Sequence, residues 1–345
     1  MHTARDGATA TLLKNGKVLI AGGGKLNNGG YNDVYSSAEL FDPVTGRFTP
    51  TGSMTSARDH AMATLLANGK VLIAGGNGCD DPKHCTNVDV GARLNSAEMY
   101  DPANGKFTRS GSMTDYRTGE LAAATLLPDG KVLIVGDSEV ADVYDPSTGR
   151  FVRTGNDPMN FATATLMHNG RVLVTGESWD NDIVAQLYDE QSGKFTTVSL
   201  AAGAQTIHYY QGQAIERTWP ETATLLSDGH VLLFGGGYLE TFDPVSGRCA
   251  DGGYIAPSGS AYEEWTGDTA SLLLNGDVLI TGGVNGSETD TALLYNPTDG
   301  LSRAGSTLVS RTSETATLLP DGSVLVAGGA DDNNSALASA ELFKP

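Results

Sequence analysis

The sequence has few basic residues, few aromatic residues and no long apolar segment. Its 345 residues include 22 Lys and Arg against 41 Asp and Glu, which gives a formal net charge of −19. Because phosphate binding needs a basic surface, this balance argues against nucleic acids and anionic membrane surfaces as partners. No apolar run approaches the roughly 20 residues of a membrane-spanning helix, so we expect no membrane insertion.

The chain also lacks the short motifs of several enzyme classes. It contains no Gly-rich phosphate loop, no HExxH metal motif and no GxSxG nucleophile elbow. It has only three cysteines. Cys79 and Cys85 lie in one loop, "CDDPKHC", and a disulfide between them would indicate an extracytoplasmic compartment: secreted, periplasmic or at the cell surface. A metal clip that includes His84 is the alternative, although the spacing matches no standard zinc pattern. Cys249 is expected to be a buried thiol.

A repeated phrase dominates what the sequence does contain. "ATLLKNGKVLIAGG", which begins at Ala10, returns six times in similar form. The later copies begin at Ala63, Ala124, Ala164, Ala223, Ala270 and Ala316. A second phrase, of the type "AELFDPVTGRF", follows each copy and is cut short after the seventh. The period is typical of a repeat architecture.

Each repeat has the chemistry of four antiparallel strands. "ATLL" (strand A) and "KVLIAGG" (strand B) are short apolar runs joined by Asn-Gly or Asp-Gly, which predicts a type I′ hairpin turn. "AELFD" (strand C) and "GRFTPTG" (strand D) are joined by a turn in which Asp-Pro precedes a glycine. No segment has a helical period. The sequence therefore predicts an all-β fold.

The repeats resemble those of kelch-type β-propellers. The resemblance rests on the Gly-Gly that ends strand B, the Tyr or Phe of strand C, the aromatic residue that opens strand D, and "ARDH" with Arg58 and His60. It covers the whole chain, residues 1–345, and implies one domain with seven four-stranded blades. The expected blades are residues 1–53, 54–112, 113–155, 156–200, 201–252, 253–305 and 306–345.

The two ends of the chain carry a further expectation. "MHTARDGATATLL" at the start aligns with "MTSARDHAMATLL" of the second repeat, and the chain ends within strand C. The last blade therefore lacks its outer strand in this chain. We expect that the chain was cut from a longer protein that supplied this strand, and a natural three-stranded blade is the alternative.

Loops B–C and D–A share one face and vary between repeats, which is typical of a functional face. Two long D–A crossings and one B–C loop place aromatic residues there. These are candidates for binding a sugar or another flat, partly apolar ligand, with Arg217 and Arg311 beside them: Trp179, Trp219, Tyr254, Tyr262 and Trp265. The alternative is that the aromatic residues form the private core of the long loops.

Acidic residues depart from the repeat on five consecutive blades. Two positions before the strand A alanine, the first four blades have Ala and the last three have an acid; at the end of strand B, blades three and four have an acid in place of the second Gly. The resulting set, expected near the mouth of the central channel, is Asp137, Glu177, Glu221, Asp268 and Glu314. These carboxylates are candidates for a divalent cation such as Ca²⁺ or Mn²⁺, for a cationic ligand or for acid–base chemistry. Pairing with arginines in a structural ring is the alternative.

Three classes of function follow from these features. The first is a monomeric binding protein for a small molecule, glycan or peptide on the variable face, near blades four to six. The second is a lyase or hydrolase on a carbohydrate-like substrate, with proton transfer by His208, Tyr209 or Tyr210 and support from Glu221 or Asp268. The third is a structural repeat domain of a larger surface protein. Copper-radical oxidases also have kelch-like propellers but need a Tyr cross-linked to Cys, for which this sequence has no matching arrangement.

Overall fold

The computed structural model describes residues 1–27, 30–79, 92–180, 183–198, 208–210, 213–215, 220–254, 266–284 and 290–345. All regular elements in these ranges are β-strands, and the strands pair in antiparallel fashion. The chain is therefore all-β, and its series of antiparallel sheets is β-propeller-like. Among the same residues, no helix is long and apolar enough to cross a bilayer.

The strands of the first half of the chain follow the A–B–C–D order of the repeat. The first sheet contains β1 (Asp6–Leu12), β2 (Val18–Asn27), β3 (Gly30–Val34), β4 (Ala38–Asp42) and β5 (Arg47–Pro50), in the order β1-β2-β4-β5 with β3 paired to β2. A two-stranded sheet joins β6 (Ala57–Asp59) to β9 (Asn77–Cys79). The next four-stranded sheet contains β7 (Met62–Leu65), β8 (Val71–Ala74), β10 (Ser96–Asp101) and β11 (Lys106–Ser112).

A seven-stranded sheet follows. It contains β12 (Ala122–Leu126), β13 (Val132–Gly136), β14 (Ser138–Asp145), β15 (Arg150–Leu166), β16 (Val172–Ser178), β17 (Ile183–Asp189) and β18 (Lys194–Val198). The predicted boundary between residues 155 and 156 falls inside β15, so two repeats share this sheet. The crossing is short and contains no turn, and the chain stays extended from one repeat into the next.

The second half of the chain returns to smaller sheets. The short pair β19 (His208–Tyr210) and β20 (Gln213–Ile215) comes first. Two four-stranded sheets follow, one of β21 (Thr222–Leu225), β22 (Val231–Gly235), β23 (Tyr238–Asp243) and β24 (Arg248–Tyr254), the other of β25 (Thr266–Leu272), β26 (Val278–Val284), β27 (Thr291–Asn296) and β28 (Gly300–Ser306). The last sheet has three strands: β29 (Thr315–Leu318), β30 (Val324–Ala327) and β31 (Ala340–Phe343).

The hairpin turn between strands A and B differs from the predicted type I′. In the first repeat only Gly16 has a positive φ, of 81°, and Asn15 does not. Gly16 N donates to Leu13 O (2.9 Å) and Leu13 N donates to Lys17 O (2.8 Å), while Asn15 Oδ1 accepts from Lys17 N (3.1 Å). This is the longer hairpin loop in which a right-handed turn is followed by one left-handed glycine. The Asn side chain stabilises the turn without itself needing the left-handed conformation.

The hydrophobic core lies between neighbouring sheets. Strand B is buried along its length, as in β8, whose four residues are all buried. Val18, Ile20 and Phe41 of the first sheet pack with Leu319 and Leu325 of the last sheet. The other sheets pack in the same way, each against the next along the chain.

The first strands of the repeats contact one another in sequence around the structure. Contacts join β1 to β7, β7 to β12, β12 to β15, β15 to β21, β21 to β25, β25 to β29, and β29 back to β1. The inner ends of these strands therefore surround a common space, which holds the site described below.

A buried arginine ties each of four D–A crossings to its own sheet. Arg58 Nη1 donates to Gly75 O and to Ser96 O, both at 2.8 Å, and Nη2 lies 3.5 Å from Glu98 Oε1. Arg58 and Glu98 are both fully buried. Glu98 in turn accepts hydrogen bonds from Thr55 N (2.7 Å) and Ser56 N (2.9 Å) on the crossing. Arg58 and Glu98 thus form a buried unit that joins the crossing to strands B and C.

The same unit recurs with the other buried arginines. Their acidic partners lie on strand C of the same sheet: Arg5 with Glu39, Arg117 with Asp142, and Arg311 with Glu341. The sequence also allowed a structural ring in which arginines pair with the acids at the channel mouth. These four arginines do not form such a ring, because each pairs with an acid on strand C. The carboxylate nearest to Arg311 Nη2 is that of Glu341, at 2.7 Å.

We predict that Arg58→Met lowers the free energy of unfolding by about 3–5 kcal/mol, because it leaves the buried Glu98 carboxylate without its cation. Urea denaturation followed by circular dichroism measures this. Lys70→Met is the matched control, since it removes a lysine from an exposed ion pair with Asp101 (3.1 Å) and should have little effect. Equal destabilisation by both substitutions would contradict the structural role of the buried unit.

Candidate functional site

A cavity of about 480 Å³ lies where the first strands of the sheets meet. Its wall is built from residues at the start of those strands and from the crossings that precede them. Every repeat contributes to the wall, which consists of Gly7, Ala8, His60, Ala61, Gly119, Glu120, Phe161, Ala162, Thr163, Pro220, Glu221, Asp268, Thr269, Thr312, Ser313 and Glu314. We call this cavity the axial pocket.

Equivalent positions of the repeat face each other across the axial pocket. Two residues before the strand A alanine, the wall has Ala8, Ala61 and Ala162 from three repeats. The same position in the last three repeats supplies Glu221, Asp268 and Glu314. The pairing of strands A and B explains this placement. Asp268 lies opposite Gly282 on strand B, and at the equivalent position of the first repeat Ala8 lies opposite Gly22. Three of the five acids expected near the channel mouth are therefore brought to one wall.

Asp268 is buried in this acidic wall. The residue is 7% exposed, and neither carboxyl oxygen has a hydrogen-bond partner of good geometry among the described residues. Burial raises the pKa of Asp268 well above its ordinary value, and the adjacent carboxyl groups of Glu221 and Glu314 raise it further. Both influences favour the protonated form of the Asp268 carboxyl group.

Glu314 is the second buried acid of the wall. It is 4% exposed, and both of its oxygens lack a hydrogen-bond partner of good geometry. Its carboxyl group occupies the space above Gly282, where an added Cβ would lie 2.1 Å from Glu314 Oε1. Burial raises the pKa of Glu314 to about 8, against the opposing influence of its own backbone N–H, the Thr281 hydroxyl and Arg311. The glycine at this position therefore makes room for a protonated side chain.

An ionised pair forms another part of the wall. His60 Nε2 lies 3.0 Å from Glu120 Oε1, and His60 Nδ1 lies 3.6 Å from Asp59 Oδ1. Burial lowers the pKa of His60, but the two carboxylates outweigh it and raise the pKa to about 10. The hydrogen bond to His60 lowers the pKa of Glu120. The His60 imidazolium and the Glu120 carboxylate therefore stay charged at neutral pH.

Little in the sequence indicates this pair. His60 belongs to the repeat phrase "ARDH", and Glu120 lies in a crossing that differs between repeats. One sign was available: the first repeat has "ARDG" where the second has "ARDH". The structure explains it, because a Cβ on Gly7 would lie 2.4 Å from His60 Cε1. His60 itself has a φ of 44°, in the left-handed region that side chains rarely adopt.

Two of the predicted acids lie outside the axial pocket wall. Asp137 has a φ of 54° and accepts hydrogen bonds from Arg93 Nη1 (2.5 Å) and Thr118 N (3.0 Å). Glu177 is partly buried opposite Phe161, and burial raises its pKa. Among the residues that the structure describes, no group of three or more His, Cys, Asp or Glu side chains is placed to hold a metal ion. The predicted divalent-cation site has no support from these residues.

Most of the predicted aromatic wall lies outside the described side chains. Trp179 follows β16 and is 51% exposed. The backbone of His208, Tyr209 and Tyr210 forms β19, and Tyr254 pairs with Tyr238 at the end of β24. The structure does not describe the side chains of these four residues. Arg217, Trp219, Tyr262 and Trp265 lie outside the described residues altogether.

The structure describes Arg311 and two of the three cysteines. The Arg311 guanidinium is fully buried and donates to Gly328 O and Ser339 Oγ, each at 2.9 Å, so its own sheet occupies it. Cys79 is disulfide-bonded, whereas the Cys249 thiol is buried and forms no disulfide. Cys85, the expected partner of Cys79, lies outside the described residues, and this pairing stays a prediction.

Comparisons with known proteins support the fold and leave the function open. No protein-family model matches the chain, and no curated protein matches it significantly. A solved structure that is similar is that of a fungal alcohol oxidase of the AA5 family in complex with copper. The TM-score is 0.70 at 14% sequence identity, and the match covers 99% of this chain and 74% of that chain. At this identity the likeness concerns the fold alone.

The described pocket wall does not fit a copper centre. Copper in proteins is held mainly by imidazole nitrogens together with sulfur or other oxygen donors. The wall has one imidazole, that of His60, whose two nitrogens face carboxylates. Neither Tyr nor Cys is among the wall residues that the structure describes. The class defined by the fold and the site is therefore a propeller-like β protein with an acidic axial pocket.

The raised pKa of Glu314 predicts a change of stability with pH. In the folded protein this group keeps its proton up to about pH 8, whereas its unperturbed pKa is 4.5. Between these pH values the folded state binds more protons than the unfolded state, so the Glu314 contribution to stability falls as pH rises. Glu314→Gln removes this dependence. Relative to the unsubstituted protein, the variant should gain on the order of a few kcal/mol between about pH 5 and pH 8.

Urea denaturation at a series of pH values measures this difference. Glu139→Gln, at an exposed position, is the control and should leave the pH dependence as it is. A constant difference in unfolding free energy between the Glu314→Gln variant and the unsubstituted protein at all pH values would contradict a protonated Glu314.

Proposed function

We propose that the protein is a seven-bladed kelch-type β-propeller whose axial pocket binds a small polar ligand, a carbohydrate among the candidates. The observation that carries this proposal is the pair of buried carboxyl groups in the pocket wall, Asp268 and Glu314, whose oxygens have no hydrogen-bond partner of good geometry among the described residues. Buried polar groups are normally paired, because an unpaired one costs free energy. A bound ligand supplies the missing partners.

The size and lining of the axial pocket support a small ligand. Its volume of about 480 Å³ lies in the range of ordinary ligand pockets. Hydroxyl groups of Thr163, Thr269 and Ser313 and the ring of Phe161 lie on the wall beside the carboxyl groups. Hydroxyls and carboxyls suit the hydroxyl groups of a sugar, and an aromatic ring suits its apolar face. This combination supports binding of a small polyhydroxylated molecule.

The kelch-type assignment is supported by features that recur in the repeats. Seven first strands surround the pocket, and Gly-Gly pairs such as Gly22-Gly23 take positive φ at the end of strand B. The aromatic residues of strands C and D pack on each other, as in Tyr100 and Phe107, with ring centroids 4.8 Å apart. The Tyr100 hydroxyl lies 2.9 Å from Thr51 Oγ1 of the preceding repeat and links neighbouring sheets.

We further propose an extracytoplasmic location and a role for the variable face. The disulfide at Cys79 supports an oxidising compartment. Trp179, half exposed at the end of β16, is available for a glycan or peptide on the same face. The net charge of −19 remains the argument against nucleic acid.

An enzyme that uses the same pocket is the second candidate. One wall contains a protonated acid, Glu314, and another an ionised carboxylate, Glu120, both facing the same space. A hydrolase or lyase on a carbohydrate-like substrate needs such an acid and base around one reacting bond. Glu221 and Asp268 would then position the substrate or take part in the proton transfer. Loss of turnover in Glu314→Gln with substrate binding kept would favour this candidate.

Filling the axial pocket tests the binding proposal. Ala61 occupies the position at which other repeats accept a glutamate, so Ala61→Phe places a ring in the cavity with little change to the fold. We expect this variant to lose binding of the sugars glucose and glucosamine, measured by isothermal titration calorimetry, by at least about tenfold. Leu308→Phe, at an exposed position on a crossing, is the control and should bind normally. Unchanged binding in Ala61→Phe would place the ligand elsewhere.

A further inference from the structure

The outer strand of the last sheet, β31, has an unpaired side. Among the residues that the structure describes, β31 pairs with β30 alone, whereas strand C of each earlier repeat also pairs with a strand D. We call the side of β31 that faces away from β30 the open edge. Such an edge presents backbone N–H and C=O groups to which another strand can bind.

Apolar side chains beside the open edge are unusually exposed. Leu342 of β31 is 44% exposed, whereas Leu40, at the same position of β4, is partly buried. Leu308 lies on the crossing beside β31, where its N–H donates to Glu341 Oε2 (2.7 Å), and it is 90% exposed. Exposed apolar side chains next to an unpaired strand are typical of a surface that another polypeptide covers.

The complete sheets show what a strand needs in order to pair with strand C. The aromatic residue of strand D packs on that of strand C, as Phe48 does on Phe41 with ring centroids 4.8 Å apart. The glycine at the end of strand D approaches the next sheet: Gly52 N donates to Gly105 O (3.0 Å), and no room is left for a Cβ on Gly52. A strand that pairs with β31 therefore needs an aromatic residue opposite Phe343 and a glycine four positions later.

The charge at the end of β31 is reversed relative to the first repeats. There an acid at the end of strand C lies opposite a base that opens strand D, as Asp42 lies opposite Arg47 and Asp101 opposite Lys106. The last repeat has Lys344 at the position of these acids, and Lys344 is exposed. Because opposite charges on paired strands attract and like charges repel, the residue opposite Lys344 should be acidic.

The crossing beside β31 favours an apolar neighbour. Leu308 N donates to Glu341 of strand C, as Thr55 N donates to strand C of the second repeat. The Thr55 hydroxyl also accepts a hydrogen bond from Arg109 Nε of strand D (3.1 Å). Leu308 has no hydroxyl to offer, so an apolar residue in place of that arginine fits the last sheet.

The neighbouring first sheet favours a second apolar residue. In the complete pair, strand D reaches the tyrosine of the next sheet, since Thr51 Oγ1 lies 2.9 Å from the Tyr100 hydroxyl. The first sheet, which packs against the last one, has Phe41 in place of this tyrosine. A Cβ on Gly46 would meet none of the described residues within 4 Å beyond its chain neighbours, so the C–D turn of the first sheet leaves space for an approaching strand.

We infer that the open edge binds an extended segment of a partner polypeptide, which adds a fourth strand antiparallel to β31. In chain order, the segment has an acidic residue opposite Lys344, an aromatic residue opposite Phe343, any residue, two apolar residues and a glycine. Backbone hydrogen bonds hold such a strand on the sheet, and the side chains fix its register. The inference is independent of the axial pocket and of the ligand proposed for it.

A synthetic peptide with the sequence of residues 45–53 tests the inference when it carries Arg47→Glu and Thr51→Val, because it then matches this pattern. Fluorescence anisotropy of the labelled peptide with the full chain measures binding. We expect saturable binding that weakens about threefold when the peptide keeps Arg47, since the attraction to Lys344 becomes repulsion. Gly52→Val in the peptide should weaken binding at least about tenfold, because a side chain there blocks the approach to the first sheet.

A charge exchange in the protein separates pairing in this register from non-specific adhesion. Lys344→Glu should reverse the preference, so that the peptide with Arg47 becomes the tighter ligand. A reversed preference cannot come from loss of folding. Lys106→Glu is the matched control, because Lys106 is an exposed lysine on β11 of a complete sheet, and this variant should keep the original preference.

The other outcomes overturn the inference. Equal binding of a peptide with the same composition in scrambled order, or no saturable binding, would show that the open edge takes no such segment. An unchanged preference in Lys344→Glu would contradict the register. Sedimentation velocity gives the oligomeric state, and a dimer that excludes the peptide would assign the open edge to a second copy of the chain instead of a partner segment.

Discussion

The position of the axial pocket depends on a buried arginine that fixes where the chain crosses between sheets. Arg58 binds the carbonyls of Gly75 and Ser96, and its partner Glu98 accepts the N–H groups of the crossing. Three residues further along the chain, Ala61 reaches the pocket wall, and the same step leads from Arg311 to Glu314. Because the arginine and its carboxylate are buried, the crossing cannot shift without leaving a charge unpaired. These buried arginines thus set the depth at which four of the repeats meet the pocket.

The register of strand A with strand B brings the acids of the pocket together. Side chains at equivalent positions are held at one level, so a change from alanine to an acid in neighbouring repeats places carboxyl groups side by side. Burial raises the pKa of Asp268, with a further contribution from the neighbouring carboxylates, and burial raises the pKa of Glu314 to about 8. His60, compensated by two carboxylates, stays ionised in the same cavity. Perturbed pKa values of this kind are typical of binding and catalytic sites.

The repeat pattern allowed the strands and part of the site to be predicted, because both follow from register. Glu221, Asp268 and Glu314 occupy one position of an aligned repeat, so their convergence required only that the repeats be arranged alike. Asp137 departed from expectation because its positive φ turns it away from the strand direction, toward Arg93. The pair of His60 and Glu120 was missed because it joins two crossings of different repeats, which no local pattern relates. The continuity of β15 was missed for the same reason, because it depends on contacts between the two repeats that the strand connects.

The most direct test of this account is an infrared measurement of protonated carboxyl groups at neutral pH. The C=O stretch of a carboxylic acid is distinct from the bands of a carboxylate, and surface acids are ionised at this pH. The account predicts a carboxylic-acid band in the unsubstituted protein that weakens in Glu314→Gln. Absence of this band at neutral pH, or a band that this substitution leaves unchanged, would contradict the account.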